Sequence, residues 1–238
     1  MSDAGRLIRR RFRKQGSNAA MFAAEFEGLQ ALRAAGVNAP EPYRCGEDFI
    51  EMEKLRLGAR PDWPALARML AKLHENTSPR FGWCSDNWIG LSAQKNAWSD
   101  DWPAFFLHFR LEPQLSRAGL SLGFSSLEKF FKNHKPAPSL LHGDLWSGNV
   151  GFTADGPVIF DPAVYYGDRE ADLAMTELFG GFPAEFYGAY SALLPLHPGY
   201  AQRKHLYNLY HLLNHLNLFG AGYRAQVEAT LRLLRDAF

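Results

Sequence analysis

The sequence predicts an α+β fold in two unequal lobes, and three observations carry the prediction. Strand-like alternation is confined to the region before residue 57 and to a short stretch around residues 139–160. Helical periodicity dominates after residue 98. Between them the segment 58–64, rich in Gly and Pro, reads as a linker that divides an N-terminal lobe of residues 1–57 from a C-terminal lobe of residues 58–238. With 238 residues, 47% of them hydrophobic, the chain can build one large or two small cores.

The elements follow in order. Residues 5–15 alternate basic and apolar side chains and read as one strand. A helix over 18–35 ends at Gly36. Residues 43–57 make two strands joined at Gly46-Glu47-Asp48, the second running over 49–55 into the linker. Trp63-Pro64 opens a helix to about residue 76, with Leu66, Leu70 and Leu73 on one face and His74 as a helix-end residue that caps or packs. A short strand before Asp144, strands at 150–152 and 158–160, and the turn Ala154-Asp155-Gly156-Pro157 make the second strand-bearing region. Helices are expected over 101–115, 125–133, 171–179, 185–194, 201–219 and 225–238.

Composition narrows the function classes. A net charge of +1 gives no reason to expect a polyanionic partner, so neither nucleic acid nor a membrane surface is anticipated. The basic run Arg6, Arg9, Arg10, Arg11, Arg13 and Lys14 alternates with Leu7, Ile8 and Phe12 as an edge strand does. No secretory leader or 18-residue apolar run occurs, and two cysteines, Cys45 and Cys84, cannot form a disulfide framework; a soluble protein of a reducing cytoplasm is expected. Both cysteines read as small packing residues. His211 and His215 sit four apart on a helix, a spacing that can hold zinc, but without the Glu of a metalloprotease motif and among Leu212, Leu213 and Leu216.

The most specific chemistry lies between Leu141 and Met175. Asp144 precedes Asn149 by five residues, the separation of the catalytic Asp and the metal-binding Asn in the protein-kinase catalytic loop, and Asp161 follows twelve residues later in Asp-Pro-Ala. Phosphoryl transfer needs positioning and charge neutralisation rather than covalent help. Hard Mg²⁺ takes oxygen ligands, which Asp161 and the Asn149 amide supply, leaving Asp144 as the base that receives the acceptor hydroxyl. The hairpin over 150–160 would bring Asn149 and Asp161 to one end.

The run His142-Gly-Asp-Leu-Trp-Ser-Gly-Asn149 and the segment from Phe160 to Met175 resemble the fructosamine kinase (ketosamine-3-kinase) family, a branch of the aminoglycoside and choline kinase-like superfamily. The stretches 81–115 and 206–223 are similar to that family as well, so the resemblance covers nearly everything after residue 21. It implies a protein-kinase-like two-lobed fold with a shortened N-terminal β lobe and a mostly helical C-terminal lobe. It also implies ATP and Mg²⁺ as cofactors, and a ketosamine or other glycated amine as the small-molecule partner, phosphorylated on its 3-hydroxyl so that the adduct is shed. Carried over by position, Asp144 is the base and Asn149 and Asp161 bind metal. Lys14 matches the phosphate-binding Lys, with Arg11 and Arg13 as rivals, and Glu25 its helix partner. Glu53, Lys54 and Leu55 form the adenine-binding hinge. Trp146 lies at the acceptor, with Asn87, Gln94, Asn96 and Asn214 as hydroxyl partners. Asp168, Arg169, Glu170 and Asp172 read as mainly structural acids and bases at a helix start, able to pair with the catalytic loop.

One feature departs from the family: no glycine-rich hairpin precedes the Lys-bearing strand. A start site placed too late, a short protein with weakened nucleotide affinity and a non-catalytic binding protein are the three readings, the first preferred. An aminoglycoside- or choline-type kinase is the other alternative, although aromatic and amide side chains outnumber acids around the expected acceptor cleft.

Overall fold

The structure, a computed structural model, describes residues 11–123 and 127–236. The start of the expected first strand, with Arg6, Arg9 and Arg10, and everything that precedes it lie outside the described residues, as does the start of the helix expected over 125–133.

The N-terminal lobe is an antiparallel sheet in the order β1-β3-β2, backed by one helix. β1 (Arg11–Gln15) pairs along β3 (Phe49–Glu53), and β2 (Pro42–Cys45) pairs on its other side with a bulge between Pro42 and Arg44. Because strand side chains alternate, Arg11 and Arg13 share one face of β1, where they meet Glu51 at 3.3 and 3.4 Å, while Phe12 and Lys14 share the other. Hydrogen bonds from Arg44 first, aided by Arg11 and Arg13, hold the Glu51 carboxyl down to about 2. The helix α1 (Ala19–Ala34) is capped by Asn18, whose side chain accepts from the Met21 N–H at 3.1 Å.

α2 (Trp63–His74) starts at Asp62, which caps the Ala65 N–H at 2.8 Å, with Pro64 in the first turn where no N–H is needed. A small hairpin, β4 (Asn87–Ile89) and β5 (Ser92–Gln94), follows; it was not anticipated from sequence. The helix expected over 101–115 is continuous in outline but changes type: α3 (Trp102–Phe106), a π-helical turn over Leu107–Leu111, then α4 (Glu112–Ala118). Pro113 explains the change. Its ring nitrogen cannot donate to Phe109 and its bulk pushes that carbonyl aside, and the freed Phe109 oxygen accepts from Arg110 Nη1 at 3.1 Å instead.

After α5 (Glu128–Phe131) come β6 (Ser139–Leu141), the hairpin β7 (Val150–Thr153) and β8 (Gly156–Ile159), and β9 (Tyr165–Gly167), which pairs antiparallel with β6. The remainder is helical: α6 (Glu170–Leu178), α7 (Ala184–Leu193), α8 (Tyr200–Phe219) and α9 (Arg224–Asp236). Two apolar cores result. One is aromatic and joins Trp102, Phe105 and Phe106 to Tyr207 and Leu213 of α8. The other runs through the expected lobe boundary at residue 57, packing Phe22, Leu29 and Ile50 with Leu66 and Leu70 of α2 and Phe186 and Tyr190 of α7. Cys45 and Cys84, expected to pack inside, are exposed. No helix among the described residues is long and apolar enough to cross a membrane.

Candidate active site

The loop after β6 carries His142, Gly143 and Asp144, and its shape depends on two features. Gly143 has φ +82°, and a Cβ there would lie 2.0 Å from the Ala163 carbonyl oxygen, so only glycine fits. Asp172 at the start of α6 then receives the loop's backbone: its carboxylate accepts from the N–H of His142 at 2.8 Å and of Gly143 at 2.9 Å. Burial would raise the Asp172 carboxyl, yet the bond from His74, at 3.2 Å, and the neighbouring imidazoles keep it below the ordinary range. His74 is itself fixed at 2.7 Å by Tyr190. His74, expected to cap or pack at a helix end, is thus a buried inner link of a chain that runs from Tyr190 through His74 and Asp172 to the loop of Asp144.

His142 completes the frame. Its Nδ1 accepts from the Asp144 N–H at 3.3 Å and its Nε2 faces the Phe160 carbonyl at 3.0 Å, which assigns the neutral tautomer protonated on Nε2. Asp144 is thereby tied to Phe160, the residue between β8 and Asp161.

Asp144, Asn149 and Asp161 converge through the hairpin register. Val150 pairs with Ile159, and the Phe160 N–H donates to the Asn149 carbonyl at 3.1 Å, so Asn149 and Asp161 stand at the same open end of the hairpin. The Asn149 Nδ2 donates to the Asp144 carbonyl at 2.9 Å and approaches its Oδ2 at 3.4 Å, which leaves the amide oxygen as the atom offered to a cation. Asp161 is the only described non-glycine residue with positive φ, at 56°, a conformation that costs energy and recurs at functional sites. Burial, then Asp161, then Asp172 push the Asp144 carboxyl up to about 7.

The structure separates Lys14 from its rivals. Lys14 Nζ lies 2.7 Å from Glu25 of α1 and 2.7 Å from Asp161, whereas Arg11 and Arg13 face Glu51 on the far side of the sheet. Burial alone would lower Lys14, but the two carboxylates keep it above its usual value. Burial pushes Glu25 up in spite of Lys14. Beside this triad a cavity of about 380 Å³ is lined by Phe12, Lys14, Met52, Glu53, Lys54, Leu55, Leu57 and Phe160, so the residues expected as hinge and Lys14 border one space.

Trp146 is 39% exposed and folds over Gly148, where a Cβ would meet the indole at 2.3 Å. The other expected acceptor residues are engaged elsewhere. Asn87 and Gln94 are buried in β4 and β5; Asn87 Nδ2 donates to the Val164 carbonyl at 2.6 Å, and Gln94 Nε2 to Asn87 Oδ1 at 2.7 Å and to the Ala163 carbonyl at 3.3 Å. Asn96 donates to the Ser85 carbonyl at 3.0 Å and accepts from Arg110 at 2.8 Å. Asn214 is buried and accepts from Gln114 at 3.1 Å. Asn87 and Gln94 brace the segment after Asp161 through the Val164 and Ala163 carbonyls, Asn96 reaches Asn87 Oδ1 at 3.1 Å behind them, and this geometry gives the three a supporting place rather than an open face. Their signal in sequence, amides near tryptophans, did not distinguish the two.

His134, Asp168 and Glu170 also lie close enough together to hold a metal. Their oxygens are already met by protein groups: Arg203 bonds both Glu170 oxygens at 2.9 and 2.7 Å, and His134 and Tyr207 bond Asp168 at 2.6 and 2.5 Å. The oxygen-rich end at Asn149 and Asp161 fits a hard cation better.

Residues 10–236 match the fructosamine kinase family model. The chain is 45% identical over 229 residues to a probable ketoamine kinase of Synechocystis, covering 89% of this chain and 78% of that protein. It is 40% identical over 240 residues to a chloroplastic protein-ribulosamine 3-kinase of Oryza sativa subsp. indica, covering 90% and 70%. Among solved structures, a putative fructosamine-3-kinase from Haemophilus somnus superposes with a TM-score of 0.85 at 30% identity, covering 94% of this chain and 82% of that one. An ADP-bound aminoglycoside phosphotransferase, at 16% identity and TM-score 0.56 over 94% and 85%, shares the fold alone. A catalytic-loop frame, a Lys–Glu–Asp triad and these matches have one reading: the chain belongs to the fructosamine kinase family.

Proposed function

We propose that the protein is an ATP-dependent kinase that phosphorylates a sugar hydroxyl of ketosamines. The observation that carries the proposal is the triad Lys14–Glu25–Asp161 standing beside Asp144 and Asn149 in a chain of this family. Relatives named ketoamine kinase and ribulosamine 3-kinase supply the substrate class. In this reading adenine enters the cavity beside Glu53, Lys54 and Leu55, and Lys14, positioned by Glu25, meets the nucleotide phosphates. Asn149 Oδ1 and Asp161 would hold Mg²⁺, which shields phosphate charge when bound. Asp144 accepts a hydrogen bond from the acceptor hydroxyl and takes its proton, and Trp146 presents an exposed indole face on which a sugar can stack. Two exposed free cysteines suit a reducing compartment, and a cytoplasmic location is part of the proposal.

The test is a panel of fructosyl-lysine, ribulosyl-lysine, free sugars, an aminoglycoside and choline with radiolabelled ATP and Mg²⁺. Transfer to a ketosamine is expected, and Asp161→Ala should lower it by at least about a hundredfold. Transfer to the aminoglycoside or choline alone would refute the substrate class; ATP binding with no transfer to any acceptor would favour a non-catalytic binding protein.

A further inference from the structure

His211 lies on α8 and is almost wholly buried, yet its Nδ1 has no hydrogen-bond partner. That atom is 3.9 Å from Asp144 Oδ1, beyond hydrogen-bond range. An unpaired buried nitrogen is destabilising, so its position demands a reason. An ion pair is not the reason: burial first, and the nearby His215 next, push the His211 ring down to about 3, so it is neutral in the working range. The neighbours offer no partner either. His215 Nδ1 turns to the His211 carbonyl at 2.9 Å, and Tyr210 donates to Gln94 at 2.7 Å.

Two polar atoms 3.9 Å apart can both reach one oxygen placed about 2.8 Å from each. We propose that His211 is a substrate-contacting residue whose Nδ1–H donates to the acceptor hydroxyl oxygen that Asp144 receives on its other side. The inference rests on the reading of Asp144 as the base. The hydroxyl donates its proton to Asp144 Oδ1 and accepts from His211, so the direction of its remaining lone pair is set toward the nucleotide. As transfer proceeds the hydroxyl oxygen forms a bond to the γ-phosphorus, the bond from that phosphorus to the bridging oxygen of ADP breaks, and the hydroxyl proton passes to Asp144. His211 keeps its proton throughout and holds the oxygen before and after. The same helix that closes the aromatic core therefore also sets the acceptor's angle.

The substitutions His211→Leu, His211→Asn and His211→Gln in the full chain test this, because an Asn amide nitrogen can stand near the place of Nδ1 whereas that of Gln reaches nearer to Nε2. Steady-state kinetics with whichever acceptor the wild type phosphorylates, together with thermal melts, give the readouts. His211→Leu and His211→Gln should lower kcat/KM for the acceptor by about thirtyfold or more, with KM for ATP within about twofold; His211→Asn should stay within about fivefold of wild type. The melting temperature of His211→Leu should not fall, since an unpaired nitrogen has been removed. Wild-type kcat/KM in His211→Leu, or equal losses in Leu and Asn variants with a lowered melting temperature, would overturn the inference and leave the kinase reading intact. A wild type that transfers phosphate to no hydroxyl would overturn both.

Discussion

Asp144, the base of the proposed reaction, shows at the scale of one residue how a buried carboxyl weakens the protein that holds it. Its carboxyl is raised to about 7 by burial, Asp161 and Asp172, so the folded chain holds this proton more tightly than the unfolded chain, where an Asp loses it near 3.9. The native state then binds more protons than the unfolded state between those values, and the contribution to stability falls as pH rises through them. In protein free of nucleotide and metal, Asp144→Asn should therefore be more stable than wild type by ~2–4 kcal/mol at about pH 8, with the gain vanishing below about pH 4. Denaturant unfolding at the two pH values checks the sign; a variant less stable than wild type at pH 8 would show that the carboxylate is held by compensating contacts. The residue types were legible in sequence because their spacing is set by a loop and a hairpin, both local. Lys14 parts from Arg11 and Arg13 only through the strand register, which turns it toward Asp161, and the pairing expected of the acids at the start of α6 takes its particular form, Asp172 to the Gly143 N–H 29 residues away, only in the fold.

At the scale of elements, α1 is fastened to the C-terminal lobe. Glu27, two residues after the Lys14 partner Glu25, accepts from Trp83 Nε1 at 3.1 Å, Cys84 Sγ at 3.1 Å and Ser85 Oγ at 3.0 Å. The next residue, Gly28, lets the helix approach Pro162, which a Cβ would meet at 3.0 Å. The helix that positions Lys14 is thus braced against the segment that carries Asp161. Glu27→Ala should raise KM for ATP by about three- to tenfold and lower stability by ~1–2 kcal/mol, since three donors lose one acceptor. An unchanged KM for ATP would mean that Gly28 packing alone sets the helix. None of this was legible in sequence, because Glu27 reads as one more exposed helix acid and its donors lie 56–58 residues away. Most helices, by contrast, were read correctly to within a few residues from their apolar faces and caps. The exceptions were short strands: β4, β5 and β9 have three residues each, too few for a period of two to declare itself.

Across the whole molecule, the two-lobed outline expected from the linker is crossed by an apolar core shared between α1, β3, α2 and α7. That continuity gives physical support to a site assembled from both sides: Lys14 and Glu25 come from the N-terminal sheet and helix, Asp144, Asn149 and Asp161 from the loop and hairpin beyond residue 140. In the proposed reaction this assembly passes phosphate from ATP to one sugar hydroxyl, with Asp144 receiving the proton. The most direct measurement is NMR of the product formed from fructosyl-lysine and Mg·ATP, with phosphorus–proton coupling locating the ester, in wild type and Asp144→Asn side by side. A 3-phosphate is expected from wild type and a rate from Asp144→Asn lower by about a hundredfold or more, with KM for the acceptor little changed. Phosphate appearing on the 3-hydroxyl at an undiminished rate in Asp144→Asn, or wild type leaving fructosyl-lysine unmodified while hydrolysing ATP, would contradict it.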